Sequence, residues 1–181
     1  MLDCENYPVI AAVHTEADFE KALDSDIQAV FMLASDIMTL DGFVRRAHEK
    51  EKLLFIHMDF VEGLSKDAAG VQYLATKNID GIISTRSNII IAAKKRGICC
   101  IQRFFMVDSR SVDTAIESLR QTQPDLIEVM PAIAYKSIAR IKSRTHTPII
   151  AGGLIETKDE IFSALNAGAE FVSTGAKSLW E

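Results

Sequence analysis

Two glycine-containing segments near the C-terminus have the residue types of a phosphate-binding site. Residues 148–157 read PIIAGGLIET, and residues 171–176 read FVSTGA. A phosphate needs several backbone N–H donors that converge on it, and glycine lets the backbone approach closely and adopt unusual dihedral angles. Neighbouring hydroxyls supply further donors. We predict phosphate contacts from Gly152, Gly153, Ser173, Thr174 and Gly175. The alternative interpretation is that these glycines only form tight turns.

Polar side chains also follow several other apolar runs, at the positions where strands would end. His57 and Asp59 alternate with Met58, so they share one face of an extended segment. Arginines give charge-assisted hydrogen bonds to phosphates and hydroxylated molecules, and carboxylates accept hydrogen bonds from hydroxyls. We therefore predict that the body of the ligand is bound by His57, Asp59, Ser84, Arg86, Gln102, Arg103 and Glu128.

The sequence assigns no catalytic set. A Schiff-base enzyme needs a lysine on a buried strand, and no apolar run contains one. Asp59 and Glu128 could act as a general acid and base. A lyase, isomerase or phosphodiesterase that acts on a small phosphorylated metabolite is therefore the alternative function. His14, His57 and Asp59 would suit a divalent metal ion, but they have no metal-binding spacing, so we predict no metal and no cofactor.

The elements that must position these residues recur along the whole chain. Each unit is a short apolar run, a turn and an amphipathic helix, and the runs are residues 9–13, 29–33, 53–58, 81–84, 98–102, 126–130, 148–151 and 170–174. The runs are apolar throughout, which is typical of strands that are buried on both faces. One helix start is marked by Thr157 as N-cap, with Glu160 three residues later as its capping-box partner.

This repeat predicts a single (β/α)8 TIM-like barrel over residues 1–181, with a short final helix near residues 176–179. An open doubly wound sheet is the alternative, but its glycine-rich fingerprint is missing after the first run. In barrels, the loops after the last two strands frequently bind phosphate. The barrel would therefore bring the two glycine segments together at one end.

Composition and charge narrow the class of protein. The apolar content of 48% is enough for a folded core, and no apolar run reaches the ~18 residues of a membrane helix. The three cysteines, Cys4, Cys99 and Cys100, do not form a disulfide framework, and no export signal is visible. We therefore expect a cytoplasmic protein.

Basic residues are the remaining candidates for a binding surface. The net charge of −5 gives no general attraction to nucleic acid. Lys136, Arg140 and Arg144 are spaced by four and form one stripe on a helix, while Arg45 and Arg46 lie on another helix. Such stripes are typical of solvated helix faces, and RNA contact by these five residues is the alternative.

Four ordered segments resemble the glycerol-3-phosphate-responsive antiterminators, which are the glycerol uptake operon antiterminator regulatory proteins of bacteria. The segments are residues 80–86 (DGIISTR), 101–109 (IQRFFMVDS), 150–157 (IAGGLIET) and 173–180 (STGAKSLW). The resemblance extends from Val9 to Trp180. It implies a (β/α)8 barrel that senses glycerol 3-phosphate. It also implies that the liganded protein binds the leader mRNA of glycerol-utilisation genes and permits transcription past a terminator.

Overall fold

Eight parallel strands close into a barrel in the computed structural model, which describes residues 7–181. Cys4 therefore lies outside the described residues. The barrel strands are β1 (Val9–Val13), β2 (Ala29–Met32), β4 (Leu53–His57), β6 (Gly81–Ser84), β7 (Cys100–Phe105), β8 (Leu126–Met130), β9 (Ile149–Gly152) and β10 (Phe171–Thr174). They neighbour one another in chain order, and β1 pairs with β10 to close the barrel. The predicted barrel is confirmed, and the open sheet is wrong.

Seven α-helices surround the strands. They are α1 (Glu16–Leu23), α2 (Leu40–Glu49), α3 (Ala68–Ala75), α4 (Ser87–Lys94), α5 (Ser109–Thr122), α6 (Tyr135–Lys142) and α7 (Lys158–Asn166). Thr157 and Glu160 form the predicted capping box of α7, and Asp108 and Ser111 form another at α5. Because the helices run antiparallel to the strands, their N-termini lie at the C-terminal face of the barrel. No described helix is long and apolar enough to cross a membrane.

Three smaller elements complete the described chain. A two-stranded parallel sheet of β3 (Ser35–Asp36) and β5 (Val61–Glu62) lies beyond the ends of β2 and β4. A short 3-10 helix, Lys177–Leu179, follows β10 and confirms the predicted truncated last unit. Trp180 is buried beside it, and its indole N–H donates to the Thr174 carbonyl over 3.0 Å. This bond fixes the segment that follows the last strand.

The barrel has two apolar layers. The larger core lies between strands and helices. The smaller fills the barrel itself, with side chains from all eight strands, among them Ile10, Phe31, Phe55, Ile101 and Phe171. Since side chains alternate across a strand, the residue two positions further along also faces the interior. The character of those next residues determines what the C-terminal mouth of the barrel can bind.

Candidate ligand-binding site at the C-terminal face of the barrel

One step above the apolar interior, the barrel becomes polar. His57 follows Phe55 by two residues, Arg103 follows Ile101, Glu128 follows Leu126, and Ser173 follows Phe171. All four of these polar residues are buried. The alternation of side chains along β4, β7, β8 and β10 thus produces a polar layer at the mouth of the barrel.

Arg103, Glu128 and Ser173 form a fixed cluster within this layer. Arg103 Nε donates to Glu128 Oε2 over 2.5 Å, and Ser173 Oγ donates to Glu128 Oε1 over 2.6 Å. The Arg103 and Glu128 side chains are only 7% and 1% exposed. Buried charges are tolerated when they are paired and hydrogen-bonded, so these contacts hold both groups in one geometry. The remaining N–H groups of the Arg103 guanidinium have no protein acceptor among residues 7–181.

Gly152 makes room for this cluster. A Cβ atom at position 152 would lie 2.4 Å from Glu128 Oε1 and 2.7 Å from Ser173 Oγ. The glycine is therefore required by the protein's own packing. Contact between the Gly152 main chain and a phosphate stays a prediction.

His57 differs from its neighbours because its ring lacks a hydrogen-bonding partner. Neither Nδ1 nor Nε2 is hydrogen-bonded to any group of residues 7–181, although the residue is 1% exposed. Burial, assisted by the Arg103 guanidinium, lowers the pKa of His57 from 6.5 to about 4. The ring is therefore neutral near pH 7 and offers one donor and one acceptor. A buried polar group without a partner is costly, so His57 is the clearest sign of a ligand.

Asp59 lies at the edge of the same mouth. Its Oδ1 accepts from Ser84 Oγ over 2.6 Å, and its Oδ2 accepts from the Thr85 amide over 2.9 Å and the Thr85 hydroxyl over 2.8 Å. Burial raises the pKa of Asp59, but these bonds outweigh burial and hold it below its ordinary value. The Arg86 guanidinium lies 3.9 Å from Asp59 and is 54% exposed. Asp59 thus holds the guanidinium of Arg86 near the mouth of the barrel.

Lys66 also belongs to this edge, although the sequence analysis did not select it. It lies in the loop between β5 and α3, and its ammonium donates to the Val61 carbonyl. Burial lowers the pKa of Lys66, while the charge of Asp59 raises it and that of Arg86 lowers it. A lysine in a loop has no periodic pattern, and only the fold reveals its position.

The two glycine loops meet as the barrel predicted. β9 and β10 are neighbours, and Gly152 pairs with Ser173. Within residues 7–181, the amides of Gly153, Leu154 and Gly175 donate to no protein acceptor. Gly153 has a φ of +76°, which disfavours a side chain. Free amides on adjacent loops are the donors that an anion requires.

Gly175 is informative because the protein itself does not require a glycine there. Its φ lies outside the left-handed region. A Cβ atom added at position 175 would have the Ala12 carbonyl oxygen as its nearest neighbour, at 3.5 Å, which is an ordinary contact. The residue is exposed. The packing of the described residues therefore does not account for a glycine at this position.

The side chains of three predicted contacts bond to other groups of the protein. Ser173 donates to Glu128, and the Thr174 hydroxyl donates to the Ile155 carbonyl over 2.6 Å and accepts from the Ala176 amide over 3.0 Å. Both hydroxyls are buried, and that of Thr174 bonds to the main chain of the two glycine loops. Gln102 points away from the barrel interior, towards α4 and α5, where it bonds Ser118 and Thr122. The other predicted residues are His57, Asp59, Ser84, Arg86, Arg103, Glu128, Gly153 and Gly175, and they lie towards the C-terminal ends of the barrel strands or in the loops that follow.

Three of the five basic residues named as candidate RNA contacts form ion pairs with carboxylates of the protein. Arg46 stacks on Phe19 and Phe43 and pairs with Glu16 and Glu20. Arg144 pairs with Asp113 over 2.5 Å, and Arg45 lies 3.8 Å from Glu49. Lys136 and Arg140 are exposed and form no ion pair with residues 7–181. Among the described residues, no group of three or more His, Cys, Asp or Glu side chains is arranged to hold a metal ion.

Comparison with known proteins shows which family the chain belongs to. The family model described as "Glycerol-3-phosphate responsive antiterminator" matches residues 9–180. The structure is similar to that of a glycerol uptake operon antiterminator regulatory protein from Listeria monocytogenes, with 37% identity and a TM-score of 0.94 over 99% of this chain and 97% of that chain. It also resembles a glycerol uptake operon antiterminator-related protein from Thermotoga maritima, with 32% identity and a TM-score of 0.84 over 95% and 96% of the two chains.

A further relative is the uncharacterised protein YgcP of Escherichia coli, which is 36% identical over 174 residues, or 96% of this chain and 91% of that protein. More distant structures share the fold alone. They include an aldolase with 14% identity and a TM-score of 0.76, and an orotidine 5′-phosphate decarboxylase from Pyrococcus horikoshii with 16% identity and a TM-score of 0.71.

Proposed function

Since the chain belongs to the glycerol-3-phosphate responsive antiterminator family, we propose that it senses glycerol 3-phosphate at the mouth of its barrel. In this proposal the liganded protein binds the leader mRNA of glycerol-utilisation genes and permits transcription past a terminator. The place of action is then the bacterial cytoplasm, where these transcripts are made.

The unpartnered ring of buried His57 is the observation that carries the ligand proposal. Glycerol 3-phosphate has two hydroxyls, and each can donate to or accept from a neutral imidazole. The phosphate is the group suited to the free amides of Gly153, Leu154 and Gly175 on the adjacent loops. Arg103, with N–H groups left over from its pair with Glu128, lies between these two ends in the polar layer.

The same geometry favours a sensor over the alternative enzyme. Glu128 accepts from Arg103 and Ser173, and Asp59 accepts from Ser84 and Thr85. A general acid must hold a proton that it can donate, and the lowered pKa of Asp59 works against that role. Both carboxylates therefore suit the orientation of neighbouring groups. Turnover of glycerol 3-phosphate or a triose phosphate by the purified protein, lost in Glu128→Gln, would instead support an enzyme.

Thermal unfolding with and without glycerol 3-phosphate tests the ligand. A ligand that binds only the folded state stabilises it by RT ln(1 + [L]/Kd), about 2.7 kcal/mol at a hundredfold excess over Kd. We expect a rise in Tm that increases with concentration. Glycerol alone and inorganic phosphate alone are the matched controls, and each should give a smaller shift because each occupies one half of the site. An unchanged Tm at millimolar glycerol 3-phosphate would contradict the proposal.

RNA binding is tested with the leader transcript of the glycerol-utilisation operon in the genome that encodes this chain. The transcript is made in vitro and labelled, and fluorescence anisotropy measures its affinity with and without glycerol 3-phosphate. We expect tighter binding with the ligand, because the ligand shifts the population of the mouth loops towards the form that binds RNA. Equal affinity in both conditions would contradict a ligand-responsive regulator.

A further inference from the structure

Two neighbouring loops at the mouth of the barrel expose large apolar side chains. Phe105, the last residue of β7, is 54% exposed, and Val107, in the loop that follows it, is 84% exposed. Ile133, in the loop from β8 to α6, is 47% exposed. Exposed apolar residues are usually scattered singly, and a group of them marks a surface that binds something. We call residues 105–110 and 130–136 the β7–β8 rim.

The β7–β8 rim also carries positive charge. Arg110 lies in the first turn of α5 and Lys136 in the first turn of α6, and neither forms an ion pair within residues 7–181. The rim contains one carboxylate, Asp108, which accepts from the Arg110 and Ser111 amides as the N-cap of α5. Loops elsewhere at this face carry carboxylates, among them Glu16, Asp36, Glu62, Glu156 and Asp159, together with the cations Lys66, Arg86, Lys158 and Lys177. The rim differs from them because its two cations are unpaired within residues 7–181 and its one carboxylate caps a helix, so its charge is complementary to a polyanion.

Hydrogen bonds connect the β7–β8 rim to the site below it. The Met106 amide donates to the Met130 carbonyl over 2.7 Å, which joins the two rim loops. The Ala132 amide donates to the Gly153 carbonyl over 3.1 Å, which joins the rim to the glycine loop. In addition, Phe105 follows Arg103 by two residues on the same strand. A ligand that contacts Gly153 and Arg103 is therefore connected through the main chain to both rim loops.

We propose that the β7–β8 rim is the RNA-binding surface, with an unpaired base stacked on Phe105 and backbone phosphates bound by Arg110 and Lys136. An exposed aromatic ring beside cations that are not neutralised by carboxylates is the combination by which proteins bind single-stranded nucleic acid. A purely apolar rim would favour a protein as the binding partner. The unpaired charges of Arg110 and Lys136 favour RNA instead, because its backbone is negatively charged. This inference rests on the proposed function and names the surface that carries it out.

The test measures affinity for the labelled leader transcript at saturating glycerol 3-phosphate. We expect Phe105→Ala to weaken binding by about tenfold, the usual scale for loss of one stacked base. The double variant Arg110→Glu, Lys136→Glu should weaken it further and reduce the dependence on salt by about one or two counterions. Phe162→Ala, at a phenylalanine on α7 that is 61% exposed, is the aromatic control. Lys21→Glu with Lys95→Glu is the charge control, because both lysines are exposed and lie at the opposite ends of their helices. Both controls should bind as wild type.

The outcomes separate this inference from the function on which it rests. If the wild-type protein does not bind the transcript with ligand present, the proposed function fails. If the wild-type protein binds and the rim variants bind equally well, the rim assignment is overturned while the function stands. A rim variant that alters oligomeric state in sedimentation velocity, with RNA affinity unchanged, shows that the rim contacts a second copy and overturns the assignment. All variants should keep the Tm shift with glycerol 3-phosphate, and its loss in Phe105→Ala would place Phe105 in the ligand site instead.

Discussion

At the scale of single residues, the mouth of the barrel combines groups that the protein holds with groups that it leaves free. Arg103, Glu128 and Asp59 are fixed by short hydrogen bonds. His57 and the amides of Gly153 and Gly175 are not bonded within the described chain. Fixed charges set the field and the shape of a site, while free groups provide the contacts that a ligand completes. This division leads to two predictions.

The first concerns pH. The folded state holds the pKa of His57 at about 4, against 6.5 in the unfolded chain. Between these two pKa values the imidazole of His57 binds a proton in the unfolded chain but not in the folded chain. The contribution of His57 to the free energy of unfolding is therefore complete above pH 6.5 and falls as the pH decreases towards 4. The difference corresponds to about 3 kcal/mol at most. We expect the free energy of unfolding, measured with urea, to fall more between pH 7 and pH 4.5 in wild type than in His57→Gln. Parallel pH profiles would show that His57 titrates normally.

The second concerns the two glycine loops. Gly175→Ala adds a Cβ atom that the protein accommodates, so Tm without ligand should change little, within about 0.5 kcal/mol of stability. The same methyl group obstructs an anion at the Gly175 amide, so the Tm shift with glycerol 3-phosphate should fall sharply. Gly153→Ala is the comparison, and it should lower stability itself, by about 1 kcal/mol or more, because residue 153 has a positive φ. A full ligand shift in Gly175→Ala would place the phosphate elsewhere.

At the scale of elements, the site depends on adjacent strands that contribute complementary side chains. Glu128 on β8, Gly152 on β9 and Ser173 on β10 are a set across three strands, in which the small residue in the middle lets the outer two bond. The loops above behave in the same way, since the β7, β8 and β9 loops are joined by main-chain bonds. A substitution in one strand or loop is therefore expected to disturb the hydrogen bonds of the adjacent ones.

Gly152→Ala tests this cross-strand arrangement. The added methyl group must displace the Glu128 carboxylate or the Ser173 hydroxyl, and a buried polar group that loses its partner costs about 1–3 kcal/mol. We expect a loss of that size in chemical denaturation. Combining Gly152→Ala with Ser173→Ala should recover part of the loss, because the double variant no longer buries an unpaired hydroxyl. Equal stability of Gly152→Ala and wild type would show that β9 can move aside.

At the scale of the whole molecule, the barrel separates stability from binding. Apolar side chains fill its interior and the layer beneath the helices. The buried polar side chains of His57, Arg103, Glu128 and Ser173 lie towards the C-terminal face, where loops can change without loss of the core. The chain has a net charge of −5, and Arg110 and Lys136, which form no ion pair within residues 7–181, both lie in the β7–β8 rim.

The sequence alone determined the barrel, its truncated last unit and the meeting of the two glycine loops. These follow from a repeated run-and-helix pattern and from the rule that parallel strands place their C-terminal ends at one face. The capping residues of α7 were equally visible, because a helix start depends on residues that are close in sequence.

The tertiary structure decided which polar residues face the mouth. Gln102 and Arg103 are adjacent on β7, and one points to the helices while the other points into the barrel. Strands that are buried on both faces have no polar side to set the phase of this alternation, so the sequence could not choose between them. The same holds for Thr174, whose acceptor on Ile155 is distant in sequence, and for Lys66, which approaches Asp59 only through the fold. Partners of this kind are fixed by packing in three dimensions, and local sequence patterns do not contain them.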